Sequence, residues 1–174
     1  NLIKSGRNWL GEIHDIITEY EFDFSFPNID INTEAHIEAG FAARSEVSTS
    51  YTLEADGNST TRSISPISTN YNSLYANEIE VTDTFLPSSS TIKVFSRYNK
   101  QNSASAKGWL DYICLNVRRG LVFTGGQMDF RDNSSIGGGK TCKFVLKDAG
   151  SKVSIWEITD PLNIKNIPAT LASG

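Results

Sequence analysis

The chain holds two cysteines, Cys114 and Cys142, and two histidines, His14 and His36. Thiol plus imidazole could make a cysteine nucleophile, which must ionise, lie near a base or a positive charge, and be open to substrate. Cys114 falls inside the apolar stretch 109–115, WLDYICL, where burial would push its thiol up. Cys142 stands beside Lys140 and Lys143, a better setting, but neither cysteine sits in a glycine-flanked elbow. His36 alternates with Glu38 on the polar side of a strand pattern and reads as solvated. The same four residues lack the paired short spacing of a zinc site. No catalytic, metal or cofactor residue is assigned from these types. The cysteines are equally compatible with one disulfide or with two buried thiols acting as small apolar groups.

Three other patterns invite chemistry. Ser135 to Thr141, SIGGGKT, resembles a phosphate loop, but that motif needs glycine where this chain has Ser134, and it must open a helix. The strand-like Cys142-Lys143-Phe144-Val145-Leu146 follows instead, so a turn between strands is the better account. Asp129, Asp132 and Asn133 offer oxygens suited to calcium without the interleaved spacing of a calcium loop. Trp9, Trp109 and Trp156 could form an aromatic platform for sugars; all three lie near apolar strand residues or glycine turns, which favours packing.

Period-two alternation dominates and sets the elements that must position any site. Tyr20, Phe22, Phe24 and Phe26 alternate with charged and polar residues until Pro27. Ala35, Ile37, Ala39, Phe41 and Ala43 form a second apolar row. Tyr51 and Leu53 lead into Asp56-Gly57-Asn58, a hairpin-turn signal, and the polar Ser59–Ile64 arm returns as an edge strand. Residues 68–77 read as loop. Further strands are predicted around Ile79 to Phe85, Ile92 to Tyr98, Cys142 to Lys147 and Val153 to Thr159. Only Asn8 to Thr18 asks, weakly, for a helix. Nine or ten short strands separated by frequent turn signals predict an all-β fold: a β-sandwich of jelly-roll or Greek-key type, with residues 1–174 forming one domain.

The segment 108–132, GWLDYICLNVRRGLVFTGGQMDFRD, carries the most information. It reads as two strands joined at Arg119-Gly120. The first is apolar on both faces, with Trp109, Ile113, Leu115 and Val117 on one and Leu110, Tyr112 and Cys114 on the other. A sandwich strand normally shows water a polar face. The Leu110, Tyr112 and Cys114 face is therefore the candidate interdomain contact, unless the chain's own loops cover it.

A net charge of −4 argues against a nucleic-acid partner, which favours a basic face. No run approaches the apolar length that spans a bilayer as a helix. No signal peptide is visible, and the start at Asn1-Leu2-Ile3 and the end at Ala172-Ser173-Gly174 suggest a fragment of a larger multidomain protein.

Five segments in order resemble one family: GRNWLGE at 6–12, GWLDYI at 108–113, NVRR at 116–119, GGQ at 125–127 with FRD at 130–132, and WEITDP at 156–161. From about Gly6 to Ile167 the chain is similar to the region just upstream of the peptidase domain in the PorU-like sortases of the type IX secretion system, gingipain-like cysteine peptidases of Bacteroidetes. The resemblance implies a surface protein of the outer membrane. Such a sortase removes C-terminal sorting signals from secreted cargo and helps join cargo to an anionic lipopolysaccharide. The family's catalytic histidine and cysteine belong to the downstream peptidase domain, and no position here matches their motifs. The expectation is a non-catalytic accessory domain that positions the peptidase domain of the same chain, cargo or secretion-system proteins, with no cofactor. The alternative is a cell-surface carbohydrate-binding module; an independent protease is disfavoured by the missing nucleophile motif.

Overall fold

A computed structural model describes residues 9–132, 137–139, 141–150 and 153–170. The described residues contain ten strands and no α-helix. The chain divides into two compact units, Asn1–Arg119 and Gly120–Gly174.

Eight strands build the first unit: β1 (Ile13–His14), β2 (Glu19–Ser25), β3 (Ala35–Arg44), β4 (Thr49–Ala55), β5 (Asn58–Ile64), β6 (Asn77–Phe85), β7 (Thr91–Asn99) and β8 (Lys107–Asn116). They form two four-stranded sheets, β1-β8-β3-β6 and β2-β7-β4-β5, antiparallel throughout. Every connection crosses between sheets except the β4–β5 hairpin. Two sheets with this strand order make a jelly roll, one of the sandwich types the alternation predicts. At the hairpin, Asp56 and Gly57 both take positive φ, 50° and 84°, the two-residue turn whose twist suits antiparallel strands.

The alternating rows face each other across the sandwich. Ile37, Ala39 and Phe41 of β3, Tyr51 and Leu53 of β4, Val81 of β6, and Ile92 and Val94 of β7 are all buried, with Phe22 and Phe24 of β2 packed against them. At its centre the Tyr51 ring stacks on Phe41, centroids 4.1 Å apart. The Tyr51 hydroxyl occupies the space a side chain at residue 108 would need: a Cβ on Gly108 would stand 2.0 Å from that oxygen. The outer face of β2-β7-β4 is charged and wet, with Arg97 bridging Glu19 and Glu54 and Lys93 bridging Glu21 and Asp23.

Three expectations fail for identifiable reasons. Residues 9–18, the described part of the expected helix, do not make one; Gly11 to His14 extend alongside β8, with Gly11 N–H donating to Leu110 O at 2.7 Å and Leu110 N–H to Glu12 O at 3.0 Å. The chain does not turn back at Arg119-Gly120. It runs on to pair with an earlier loop, through an Ile29–Arg119 bridge and a 2.8 Å bond from Asp30 N–H to Arg118 O. Cys142 to Lys147 forms no strand, contributing only a bridge between Val122 and Lys147.

The second unit is sparse. Its hairpin joins β9 (Ile155–Glu157) to β10 (Lys165–Ile167), so the strand expected at Val153 to Thr159 is shortened to three residues. Asp160 closes the turn by accepting from Leu162 N–H at 3.0 Å. Phe144, Val145, Trp156, Ile158 and Leu162 are exposed.

Gly108→Ala is expected to destabilise the first unit by roughly 1–3 kcal/mol, because a methyl group would overpack against a buried ring that cannot withdraw. Gly11→Ala, where the new Cβ would meet only Leu110 O at 3.5 Å, should be close to neutral. Urea denaturation of both variants checks this, and equal midpoints would show that Tyr51 does not occupy the space beside residue 108.

Candidate functional site

The outer face of the β1-β8-β3-β6 sheet differs from the charged face opposite. Pairing across β8 and β3 puts Trp109 beside Ala42, Tyr112 beside Gly40, Cys114 beside Glu38 and Asn116 beside His36, and residues so opposed share a face. The register shifts between Gly40 and Phe41, where Tyr112 faces Gly40 but Leu110 faces Phe41, so Asp111 is an extra residue. This bulge reverses the alternation along β8. Leu110 thereby enters the core with Ile113, Leu115 and Val117 packed on the same side, and Trp109 joins the face of Tyr112 and Cys114. The expected grouping of Leu110, Tyr112 and Cys114 on one face is corrected accordingly: Leu110 is buried, and the other two are exposed.

The chain's own loops cover the Trp109 end of this face. Trp109 is only 8 % exposed and packs with Leu10, Ala42 and Ala76. Tyr75, from the 68–77 loop, leans over it with ring centroids 6.4 Å apart, and the Arg44 guanidinium lies 4.2 Å from the Tyr75 centroid. Arg44 also donates to Tyr75 O at 2.9 Å, pinning the loop.

Beyond that cover the face opens. The Tyr112 ring lies across Gly40 so closely that a Cβ there would stand 2.6 Å from the ring. The flat ring lets its hydroxyl reach two strands, donating to Glu38 and lying 3.2 Å from Glu80. Hydrogen bonding to Glu38, more than its slight burial, holds the Tyr112 phenol protonated well above the usual tyrosine range. Glu78, Glu80 and Asp111 line a shallow groove of about 250 Å³ beside it, floored by Gly40 and Ala42.

Among the described residues, no hydrogen bond joins Cys114 to a histidine, although His36 lies on the same face one residue pair away. Cys114 carries a free, exposed thiol, not the buried apolar group its strand suggested. Its hydrogen-bond partner is the Asn116 amide at 3.6 Å, not an imidazole. His14 is fully buried on the other side of the sheet. Among the described residues no cluster of histidine, cysteine and carboxylate could hold a metal ion. Asp129 and Asp132 are described, while Asn133 and, in the glycine-rich stretch from Ser135 to Thr141, Ser135, Ile136 and Lys140 lie outside the described residues. As a sugar platform, Trp109 is unavailable because it is buried; Trp9 and Trp156 are exposed, one in each unit.

No protein-family model matches the chain, and no curated protein matches it. Among solved structures, the crystal structure of dimeric latent PorU from Porphyromonas gingivalis superposes with a TM-score of 0.75 at 18% identity, over 98% of this chain and 16% of that one. The likeness establishes a shared fold, and the chain spans a small part of that protein's length. A second structure, TmCBM61 in complex with beta-1,4-galactotriose, aligns with a TM-score of 0.37 at 14% identity over 57% of this chain and 62% of that one; an overlap that loose carries no argument.

A double-mutant cycle tests the geometry of the face. Gly40→Ala alone should cost roughly 1–3 kcal/mol, since the methyl group must displace the Tyr112 ring. In a Tyr112→Ala background the same change should be neutral or stabilising by up to about 1 kcal/mol, because glycine in a strand interior carries an entropic penalty. Equal costs in both backgrounds would mean that the ring does not rest on Gly40.

Proposed function

We propose that this chain is an accessory β-sandwich of a PorU-like cysteine peptidase, a non-catalytic domain that positions the peptidase domain, secretion cargo or partner proteins at the bacterial surface. The observation that carries the proposal is the superposition of nearly the whole chain on a small part of PorU. The site chemistry supports the same reading. The one free thiol on the candidate face lies opposite Glu38 and takes its hydrogen bond from the Asn116 amide; His36 shares the face one residue pair away but makes no hydrogen bond to the sulfur, so the contact that activates a cysteine is not made.

The asymmetry of the two outer faces favours one side for contact. Internal ion pairs already satisfy the charges of the β2-β7-β4 face. The β8-β3-β6 face presents Tyr112, 37 % exposed, and carboxylates rimming a groove. A half-exposed tyrosine flanked by polar groups is the usual composition of an interface anchor.

The test requires the parent protein. The full open reading frame should continue into a gingipain-type peptidase domain. In that parent, Tyr112→Ala with Glu80→Lys should slow cleavage of a C-terminal sorting signal roughly tenfold, the scale of losing one interface anchor. Asp23→Lys on the opposite face, and Cys114→Ser, should leave the rate unchanged. A reading frame with no peptidase domain, or loss of cleavage in Cys114→Ser, would overturn the proposal.

A further inference from the structure

His14 is a fully buried histidine in a two-residue strand at the edge of a sheet. Its Nε2 lies 2.9 Å from Ser96 Oγ and its Nδ1 lies 3.4 Å from the Tyr51 hydroxyl. Three tyrosine rings, Tyr20 of β2, Tyr51 of β4 and Tyr98 of β7, surround it at centroid distances of 4.9, 5.2 and 6.4 Å. The groups packed on it from the other strands are thus uncharged. The carboxylates near it are on its own segment: Glu12 acts through space, and Asp15 is taken up by Lys100 at 3.1 Å and Lys107 at 3.0 Å.

The neutral ring suits this setting, since one nitrogen donates while the other accepts. A second proton makes both nitrogens donors, turns Nδ1–H toward the Tyr51 hydroxyl, and leaves a full charge among apolar rings. We propose that protonation of His14 releases β1 and its flanking residues Gly11 to Asp15 from the edge of β8 while the rest of the jelly roll stays folded.

Apart from this side chain the segment is held by a pairing of only two strand residues at a sheet edge. What remains is the short backbone pairing with Gly108 to Leu110, the Tyr20 hydroxyl donating to Ile13 O at 2.9 Å, Lys100 Nζ donating to Asp15 O at 3.2 Å, and the partly exposed ion pairs of Asp15. Partly exposed pairs contribute little, and local openings draw on segments with few such ties. The backbone pairing of β3 with β6 and of β4 with β7 involves no residue of β1.

Burial holds the His14 ring below the usual imidazole range, outweighing Ser96 and Glu12, which pull the other way. A histidine lowered in the folded state contributes stability that is present above about pH 6.5 and is lost as the pH falls through that value. The window for release is therefore mildly acidic.

Hydrogen exchange on the whole chain, corrected for intrinsic rates, reads the event directly, because the Leu110 amide donates to Glu12 O. Between about pH 7.5 and about pH 5, Leu110 should lose up to roughly 30-fold of its protection, the ratio set by an ordinary imidazole in the open state. Amides of β3 and β4 should keep theirs, and His14→Gln should abolish the pH dependence at Leu110. Should that variant fail to fold, NMR titration of His14 in the unaltered chain must share its midpoint with the loss at Leu110. Constant protection at Leu110, equal loss across β3 and β4, persistence of the effect in His14→Gln, or separate midpoints would each overturn the proposal.

Discussion

The jelly roll depends on one ring. Tyr51 stacks on Phe41 of the facing sheet, tilts against Tyr98 at 4.7 Å, and meets the edge of His14. It thereby joins β4, β3, β7 and β1. Its hydroxyl is a polar group at the centre of the buried core, and such a group must find partners. It finds the His14 ring and the backbone of Trp109, and burial drives its phenol far above the usual tyrosine range. Reaching that position requires the backbone of β8 to pass within contact of the oxygen, which only glycine at 108 permits. The short first strand, the buried histidine and the glycine of β8 are thus consequences of placing one tyrosine between the sheets.

A second constraint, the bulge at Asp111, decides what the outer face presents. Without the extra residue, the same sequence would send Leu110 outward beside Tyr112, leaving two large side chains to crowd the face and Phe41 without its partner in the core. With it, Leu110 packs inward opposite Phe41 and Tyr112 lies flat over Gly40. Bulges re-aim side chains next to functional surfaces, and this one separates a covered end, under Trp109 and Tyr75, from an open one at Tyr112 and Cys114.

Much of the fold was legible in the sequence because half-buried strands write their burial into alternation. Ala35 to Ala43, Tyr20 to Phe26 and Ile92 to Tyr98 all face the core as their period dictates. Asp56-Gly57 names its own turn. The failures share a cause: pattern is local and pairing is not. A bulge adds one residue without altering composition, so WLDYICL gave no sign that its phase reverses at Asp111. The run after Gly120 is as apolar as a strand, yet Arg118 and Arg119 pair with Ile29 and Asp30, a choice set by residues almost ninety positions away. By residue type His14 is a possible base, but its surroundings, three tyrosines from three strands, exist only after folding.

The candidate site shows the same division. Cys114 looked buried because its neighbours are apolar, but the strand it occupies packs one face on the core and leaves the other open, and the thiol falls on the open side. Tyr112 was legible as an outward residue; its reach to Glu38 and Glu80 was not, since it depends on the absence of a side chain at Gly40 on a different strand. The face is built by subtraction. Two glycines, one under Tyr51 and one under Tyr112, let a tyrosine lie against each side of the same sheet, the first closing the core and the second shaping the outer face.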